Sequence, residues 1–499
     1  MFGDYECHRH WMEITYHYPP TMWYANGPHM NMTYWPMDYP PLCAYTHWFM
    51  AQIVGKVQPD AVKLQGSYGF NSPGYRALMH GALILIELLV MVPAVIKLLA
   101  LLYPKHTTMT RRIYLMLYLL MPPLVYVDHG HFQPNSPMHG LVLWATYHIL
   151  VGRTELAVVL MVMAANFKQM GLYFGMPFAF YALSTIAQTA GARYKASKLK
   201  QVQYLITRIV ILGSIFVITL GILWYPWVRE SMRDQTSQNG LKGLLERIFP
   251  THRGLFQDKV ASFWCVLHNF IKLDRLVAQP KLVLLTTLVT LGTSMPACLL
   301  LYRKPTPRNF ILSQFAVSMC FLMFSFHVHE KQILCPLIFF GLAFPEVKQY
   351  FSAFLLVSNF SMQRLYTIEG NLLTYGVLTA SYQYAAKRLE GCALNGFKIA
   401  SDAKPDQMQK KSGLVIYNES YKLNVADSAE TSWFLQLLCV RMRNLVCNMV
   451  LGFVLVFHLL YKAIPVTARY PHLPEVINIS FSFGMFAFTT LFAVTKMTE

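Results

Sequence analysis

The sequence predicts an all-α polytopic membrane protein. Three observations lead to this fold class: 55% of the 499 residues are hydrophobic, only 13% are charged, and apolar runs of about 20 residues recur along the chain. A helical run of that length can cross the hydrocarbon core of a bilayer. A soluble globular protein is therefore excluded.

The apolar runs define the candidate spans, which begin near Met79, too late for a cleavable signal peptide. In chain order they cover 79–103, 113–127, 171–189, 204–226, 282–302, 309–326, 333–345, 350–366, 371–385, 446–465 and 474–494. Between 138 and 165 the pattern breaks at Arg153-Thr154-Glu155. This break leaves either one helix with a buried charge pair or a hairpin of two short segments.

Basic loops set the predicted orientation. The net charge of +18 comes from Lys and Arg that lie mostly in short loops between spans, a pattern that orients membrane proteins and does not indicate nucleic-acid binding. Four locally basic loops should share the cytoplasmic side: Lys105/Arg111/Arg112, Arg193/Lys195/Lys198/Lys200, Arg303/Lys304/Arg308 and Lys387–Lys411. Only the hairpin places all four there.

The opposite, lumenal face then collects almost every cluster of His, Asp and Glu. It comprises residues 1–78, 127–136, 166–170, 227–280 and 327–331. The 227–280 loop is basic, but it is long and mixed in charge, where the charge rule weakens. The Asn31-Met32-Thr33 sequon agrees with this topology, and Asn418-Glu419-Ser420 should stay unmodified on the cytosolic side.

This topology divides the chain into three parts. We expect a first lumenal loop at 1–78 with interfacial helices and acidic residues, a transmembrane module at 79–345, and a C-terminal transmembrane module at 346–499. The last module contains a polar cytosolic insertion at 386–445, which carries no motif of use.

The stretch "GDYECHRHWMEI" (residues 3–14) crowds Asp4, Glu6, His8 and other charged residues around one Trp. A helix here would pair Asp4 with His8, Glu6 with His10, and Arg9 with Glu13 at i,i+4 spacing. It could be an amphipathic helix with Trp11 and Met12 in the headgroups, a metal site formed with His327 and His329, or the source of a general base. Nine cysteines without paired spacing indicate no disulfide or zinc framework.

A second acid lies in "YWPMDYPPLCAY" (residues 34–45), where prolines on both sides should limit the movement of Asp38. The stretch is either a rigid loop or a sugar site, since aromatic faces stack on sugars and carboxylates accept hydroxyl protons. "HGHFQPN" supplies His131 and Gln133, and "NFKQM" supplies Lys168. Lys168 could be an interfacial side chain that reaches the headgroups, or it could bind a phosphate.

"FSFHVHEKQIL" is the strongest local signal. His327, His329, Glu330 and Lys331 lie between two apolar runs with almost no loop, which is costly unless they line a wet cavity. "RIFPTHRGLFQDKVASFWC" adds Arg253 in a turn that contains Pro and Gly and precedes an apolar, aromatic stretch. By itself the pattern favours a pair of interfacial helices over a functional site.

These motifs resemble those of the endoplasmic-reticulum dolichyl-phosphate-glucose-dependent α-1,3-glucosyltransferases, specifically the enzymes that add the first glucose to the lipid-linked high-mannose oligosaccharide. The resemblance runs in order from residue 2 to about 345. It rests on "GDYE" with "RHWMEIT", "MDYPPL.AY", "GHFQ.NS", "N.KQM.LY", "R.FP..RGLF.DKVA.FWC" and "F.VHEK.IL".

The resemblance implies a GT-C fold with a lumenal active site in the endoplasmic-reticulum membrane, and an inverting displacement without metal or other cofactor. It implies that Asp4 is the catalytic base, that Asp38 lies at the same site, and that His329 lies near the donor. Dolichyl phosphate glucose would be the donor and the lipid-linked oligosaccharide the acceptor. The full set of expected substrate-binding residues is Asp38, Glu6, His131, Gln133, Lys168, Arg253, His327, His329, Glu330 and Lys331.

The sequence departs from the family pattern at Cys7-His8 and at prolines 134 and 137. Family members carry a transmembrane helix before the "GDYE" motif, so we expect an incomplete start. The alternatives are the second-glucose transferase, a mannosyltransferase of the same fold, or a lipid-linked sugar carrier. A carrier would place ionisable groups at mid-membrane, where Glu87 and Arg208 are the clearest examples.

Overall fold

The computed structural model describes residues 3–27, 33–249, 254–256, 259–401, 432–461 and 472–498. Within these ranges the secondary structure is helical, apart from one isolated bridge between Phe256 and Val328. Shorter helical turns connect the main helices. The main helices are α1 (Tyr5–His17), α2 (Pro41–Val57), α3 (Pro73–Leu102), α4 (Thr108–Leu119), α5 (Ser136–Leu150), α6 (Thr154–Phe167), α7 (Gln169–Arg193), α8 (Lys198–Arg233), α9 (Leu241–Ile248), α10 (Gln279–Arg303), α11 (Pro307–Phe324), α12 (Leu334–Leu342), α13 (Phe344–Ser361), α14 (Leu372–Ser401), α15 (Ser432–Leu460) and α16 (Leu473–Thr498).

Five helices in the described part of the chain are long and apolar enough to cross a membrane: α3, α7, α8, α10 and α16. Helix α8 has 36 residues and is about 54 Å long at 1.5 Å per residue, so it extends past a bilayer core of about 30 Å. None of the most apolar 18 residues of α8 is buried inside the protein. An apolar surface that the protein leaves uncovered over such a length suits contact with lipid chains.

The predicted hairpin between 138 and 165 is confirmed. Helix α5 ends at Leu150, α6 begins at Thr154, and Gly152 turns the chain with a φ of +80°. Glu155 then pairs with Arg208 of α8 at 2.6 Å. The charges at the break are therefore accommodated by a turn and an ion pair between helices.

Two of the four basic loops lie together at one end of the helices. Tyr103, just before Lys105, donates to the carbonyl of Leu342 at 2.7 Å. At the same end, Arg308 pairs with Glu346 at 2.8 Å and also donates to the carbonyl of Lys496 near the end of α16. The structure thus gathers two of the four basic loops at one end, as the charge pattern predicts.

Helix α1 is buried inside the protein, so its interpretation as an amphipathic helix on the membrane surface is wrong. Trp11 and Met12 are each only 1% exposed. Trp11 packs edge to face on Tyr39 and His47, with ring centroids 4.9 and 5.2 Å apart. The proline-rich turn and α2 cover a face that the isolated sequence appears to offer to lipid.

Only one of the three predicted i,i+4 pairs in α1 forms as an ion pair. Arg9 donates to Glu13 at 2.9 Å, and it also pairs with Glu6 at i,i+3 spacing. His10 contacts Glu13 at 3.1 Å, and His8 faces His47 of α2 at 2.9 Å. Because the Arg9 side chain is completely buried, it collects both carboxylates and takes Glu6 away from His10.

Two helices of the C-terminal module extend past the spans predicted at 371–385 and 446–465. Helix α14 continues to Ser401 and α15 begins at Ser432, so helix occupies both edges of the stretch assigned to a cytosolic insertion at 386–445. Residues 402–431, including the second sequon at Asn418, lie outside the described residues, as do Asn31 of the first sequon and Arg253.

Candidate active site

A cavity of about 1200 Å³ opens among α1, the proline-rich turn at 34–39, the start of α7 and the turn at 325–332. Segments separated by more than 300 residues in the sequence meet here. Eight of the predicted site residues line the cavity: Asp4, Asp38, Gln133, Lys168, His327, His329, Glu330 and Lys331. His131 contacts Asp4 from behind the cavity wall, and Glu6 is instead held by Arg9 and Tyr34.

Asp4 sits at the N-terminus of α1, where the backbone fixes it against the turn at 126–135. The Asp4 amide donates to the carbonyl of His131 at 3.0 Å. The preceding Gly3 has a φ of +63°, and a Cβ there would lie 1.7 Å from that same carbonyl oxygen. Glycine is therefore the residue that allows the two backbones to approach this closely.

Three side chains among the described residues contact the Asp4 carboxylate. Gln133 donates to Oδ2 at 2.6 Å, Lys331 Nζ lies 3.5 Å from Oδ2, and His131 Nε2 lies 3.4 Å from Oδ1. Burial alone would raise the pKa of Asp4, but Lys331 and His131 outweigh it and hold that pKa well below its usual range. Asp4 is consequently a carboxylate at neutral pH, and 20% of its side chain remains exposed.

Lys168 is buried beside the same cavity, so its interpretation as an interfacial side chain that reaches the headgroups is wrong. The residue is 3% exposed, and its ammonium donates to Asn135 at 2.7 Å and lies 4.7 Å from the ring centroid of Tyr39. Burial and repulsion from Lys331 lower the pKa of Lys168 to about 8. A buried ammonium held by a neutral amide and a ring keeps charge available for an anionic ligand.

Asp128 supports this arrangement, and the sequence pattern gave it no role. It is 4% exposed and accepts from the Asn135 side chain at 2.8 Å and from the amide and hydroxyl of Ser136 at 2.9 and 2.7 Å. Asn135 in turn accepts from Lys168. The "DHGHFQPNS" turn thus supports the site partly through an acid that does not itself line the cavity.

The turn at 327–331 is fixed from the 254–256 segment. His327 has a φ of +54°, its amide donates to the carbonyl of Leu255 at 2.7 Å, and its ring lies 2.8 Å from the carbonyl of Gly254. The rings of His327 and His329 meet edge to face at 5.1 Å. Trp35, which lines the cavity, also has a positive φ, and so does Phe132, which lies between His131 and Gln133. Such backbone strain is common at functional sites.

Asp38 faces the cavity among aromatic residues, as the sequence predicts for the proline-rich turn. Trp11 anchors the turn through its indole N–H, which donates to the carbonyl of Trp35 at 3.1 Å. Tyr34, Trp35 and Tyr39 line the cavity beside Asp38, and Tyr173 lies on its wall. Rings and a carboxylate in one wall suit recognition of a hexose.

A second residue without a sequence-based role is Glu369, between α13 and α14. Its carboxylate contacts His131 at 2.5 Å and accepts from the hydroxyl of Tyr126. The available signal was weak: one acid between two apolar segments, in the part of the chain where no motif was recognised.

The metal interpretation does not fit the residues. In the part of the chain that the structure describes, no group of three His, Cys, Asp or Glu is arranged to hold an ion. The combination of Asp4 and His8, or of His8 and His10, with the histidines at 327 and 329 does not form. His8 contacts His47, His10 contacts Glu13, and Asp4 contacts Lys331.

Comparison with known proteins gives a consistent result. A profile of the ALG6, ALG8 glycosyltransferase family matches residues 1–492. A chicken protein named dolichyl pyrophosphate Man9GlcNAc2 alpha-1,3-glucosyltransferase is 36% identical over 383 residues, which are 77% of this chain and 72% of that protein. A Caenorhabditis elegans protein with the same name, marked probable, is 35% identical over 78% of this chain and 73% of its own. Its Dictyostelium discoideum counterpart, also marked probable, is 30% identical over 100% of this chain and 90% of its own.

Proposed function

Because the chain belongs to the ALG6, ALG8 glycosyltransferase family, we propose that it transfers glucose from dolichyl phosphate glucose to the terminal mannose of the lipid-linked high-mannose oligosaccharide, in α-1,3 linkage. The reaction is the one that the names of its relatives describe. The observation that supports it within this molecule is one ionised carboxylate, Asp4, facing a large cavity that also contains buried cations.

Asp4 acts as the base in a single displacement. The mannose hydroxyl oxygen bonds to the anomeric carbon of glucose, and the bond between that carbon and the phosphate oxygen breaks. The electron pair leaves with dolichyl phosphate, and the hydroxyl proton passes to Asp4. A β-linked donor then gives an α-linked product, because attack comes from the face opposite the leaving group.

The low pKa of Asp4 is compatible with this role. A hydroxyl becomes strongly acidic once its oxygen has begun to bond to the anomeric carbon, so a weakly basic carboxylate can take the proton late in the step. Lys331 keeps Asp4 ionised before the substrates bind. A bound phosphate would draw part of the Lys331 charge to itself and make Asp4 more basic when the base is needed.

The leaving group needs positive charge, and the cavity wall supplies it. Lys168, Lys331 and His329 line the cavity and can hold the phosphate as its negative charge increases. The proposal assigns no step to a metal or other cofactor. Asp38 and the rings beside it hold the hexose.

The cavity faces the lumen of the endoplasmic reticulum in this proposal, within a GT-C fold. The positions of the basic loops support this orientation. Basic loops mark the cytoplasmic side of a membrane protein, and the loops at Tyr103–Lys105 and Arg308 meet at one end of the helices. Donor and acceptor both carry dolichyl chains, so a site bordered by apolar cavity residues such as Phe256, Phe321 and Phe326 can receive them from the bilayer.

Purified protein, dolichyl phosphate glucose and the unglucosylated lipid-linked oligosaccharide test the proposal directly. We expect one glucose to be added in α-1,3 linkage. Activity only with an acceptor that already carries one glucose would identify a second-glucose transferase, and activity only with dolichyl phosphate mannose would identify a mannosyltransferase. Vesicle transport of the lipid-linked sugar without transfer would identify a carrier. Each of these outcomes would overturn the proposal.

A further inference from the structure

The buried contact between Glu369 and His131 joins the C-terminal module to the site. The two side chains are 7% and 6% exposed, and Glu369 Oε1 lies 2.5 Å from His131 Nδ1. The other nitrogen of the ring, Nε2, lies 2.9 Å from Lys331 Nζ and 3.4 Å from Asp4 Oδ1. Glu369 does not line the cavity, and its contact toward Asp4 is made through His131.

Glu369 is itself firmly held. The hydroxyl of Tyr126 donates to its second oxygen, and the side chain of Asn371 lies 3.3 Å from that hydroxyl. The ring of Tyr126 stacks on Tyr366 with centroids 3.6 Å apart. A carboxylate fixed at both oxygens can fix the orientation of the imidazole that it contacts.

We propose that Glu369 is a positioning residue for glucosyl transfer, one that orients His131 so that Nε2 faces Lys331 and Asp4. This inference rests on the proposed function. Nδ1–H donates a hydrogen bond to the carboxylate of Glu369, which leaves Nε2 free to accept one from Lys331 and so keeps the ammonium beside Asp4. When Nε2 is protonated as well, the carboxylate of Glu369 stabilises the imidazolium beside Asp4.

The electrostatics agree with this geometry. Burial opposes charge on both groups, yet hydrogen bonding to Asp4 and Glu369 raises the pKa of His131 above its ordinary value. Burial would also raise the pKa of Glu369, but His131 and Tyr126 hold it below its usual range. Two carboxylates, Glu369 and Asp4, therefore flank His131 and Lys331 in one connected series that ends at the proposed base.

The test is Glu369→Gln in the full chain. Tyr126 already donates to one oxygen of Glu369, so the glutamine would turn its amide N–H toward Nδ1 and favour the wrong tautomer of His131. We expect kcat to fall about 10- to 100-fold, the range known for residues that orient metal-binding histidines, with KM for donor and acceptor unchanged. The acid limb of the kcat profile should move to higher pH, because Asp4 loses part of the positive field from His131 and Lys331.

The matched control is Glu87→Gln. Glu87 contacts His129 at 2.8 Å, two residues from His131 on the same turn, and His129 does not line the cavity. Glu87→Gln should leave kcat and the pH profile unchanged. Equal losses of kcat in Glu87→Gln and Glu369→Gln would overturn the proposal, because a general effect on the turn would then explain both.

A double-mutant cycle with His131→Ala separates action through His131 from other effects. If Glu369 acts through the imidazole, Glu369→Gln causes little further loss of kcat in the His131→Ala background. If the losses of kcat caused by Glu369→Gln and His131→Ala are fully additive, Glu369 does not act through the imidazole. Should Glu369→Gln fail to fold, Tyr126→Phe replaces it, with a smaller fall in kcat expected and wild-type kcat refuting the proposal. Wild-type protein that transfers no glucose would refute the proposed function instead.

Discussion

The close approach of Gly3 to His131 predicts that Gly3→Ala damages catalysis far more than folding. The added Cβ would lie 1.7 Å from the His131 carbonyl oxygen, and real Cβ contacts begin at 3.0 Å, so the two backbones must separate by about 1.3 Å. The His131 carbonyl also accepts from the Asp4 amide, so the movement displaces Asp4. A misplacement of about 1 Å in catalytic geometry costs on the order of 100-fold in rate.

The positive φ of Gly3 adds a separate cost. An alanine in this conformation loses roughly 1–2 kcal/mol wherever it occurs, so backbone strain needs its own control. Gly152→Ala supplies it, because Gly152 has a φ of +80° with no atom within 4 Å of its Cβ position, and it lies in the turn between α5 and α6.

The assay is kcat/KM for glucose transfer by both purified variants, together with their thermal unfolding midpoints. We expect similar midpoints, about 100-fold lower kcat/KM for Gly3→Ala, and near wild-type kcat/KM for Gly152→Ala. Equal activity of the two variants would refute the inference that the approach of Gly3 to His131 positions Asp4.

Further predictions concern charge. The pKa of Lys168 is lowered to about 8, so its ammonium is present below that pH and lost above it. The kcat/KM for the donor should therefore decline above about pH 8, and Lys168→Arg should move the decline to higher pH. A decline that does not move would exclude Lys168 as the phosphate-binding cation. Arg9→Gln removes the guanidinium that pairs with both Glu6 and Glu13 and should lower the free energy of unfolding by about 3 kcal/mol or more, measured by denaturant titration. An unchanged value would contradict the inferred importance of this buried network. Chelation should leave the transfer rate unchanged, and loss of transfer that added Mg²⁺ or Mn²⁺ restores would contradict the metal-free reaction.

The helical architecture and the members of the site were largely accessible from the sequence. The apolar runs predict the spans because bilayer thickness sets their length. The charge break at Arg153 allows one helix or a hairpin, and the basic loops select the α5–α6 hairpin because it alone places all four of them on one side. The crowded polar residues at 327–331 predict a cavity, because their burial in lipid would be prohibitive.

Tertiary partners were not accessible in the same way. Helix α1 appears amphipathic because its sequence does not show that α2 and the turn at 34–39 cover it, and Arg9 appears to be a surface charge until it is found between Glu6 and Glu13. Glu369 is a lone acid whose meaning depends on a contact with His131, 238 residues away. Spacing along a chain does not report such a contact.

The most direct test of the central claim, that Asp4 is the base in this cavity, is the rate of glucose transfer by Asp4→Asn. The amide keeps the shape of the side chain but cannot take the hydroxyl proton at neutral pH. We predict that kcat falls about 10²- to 10⁴-fold while the thermal unfolding midpoint stays close to that of the wild type. Transfer by Asp4→Asn at the wild-type rate would contradict the account.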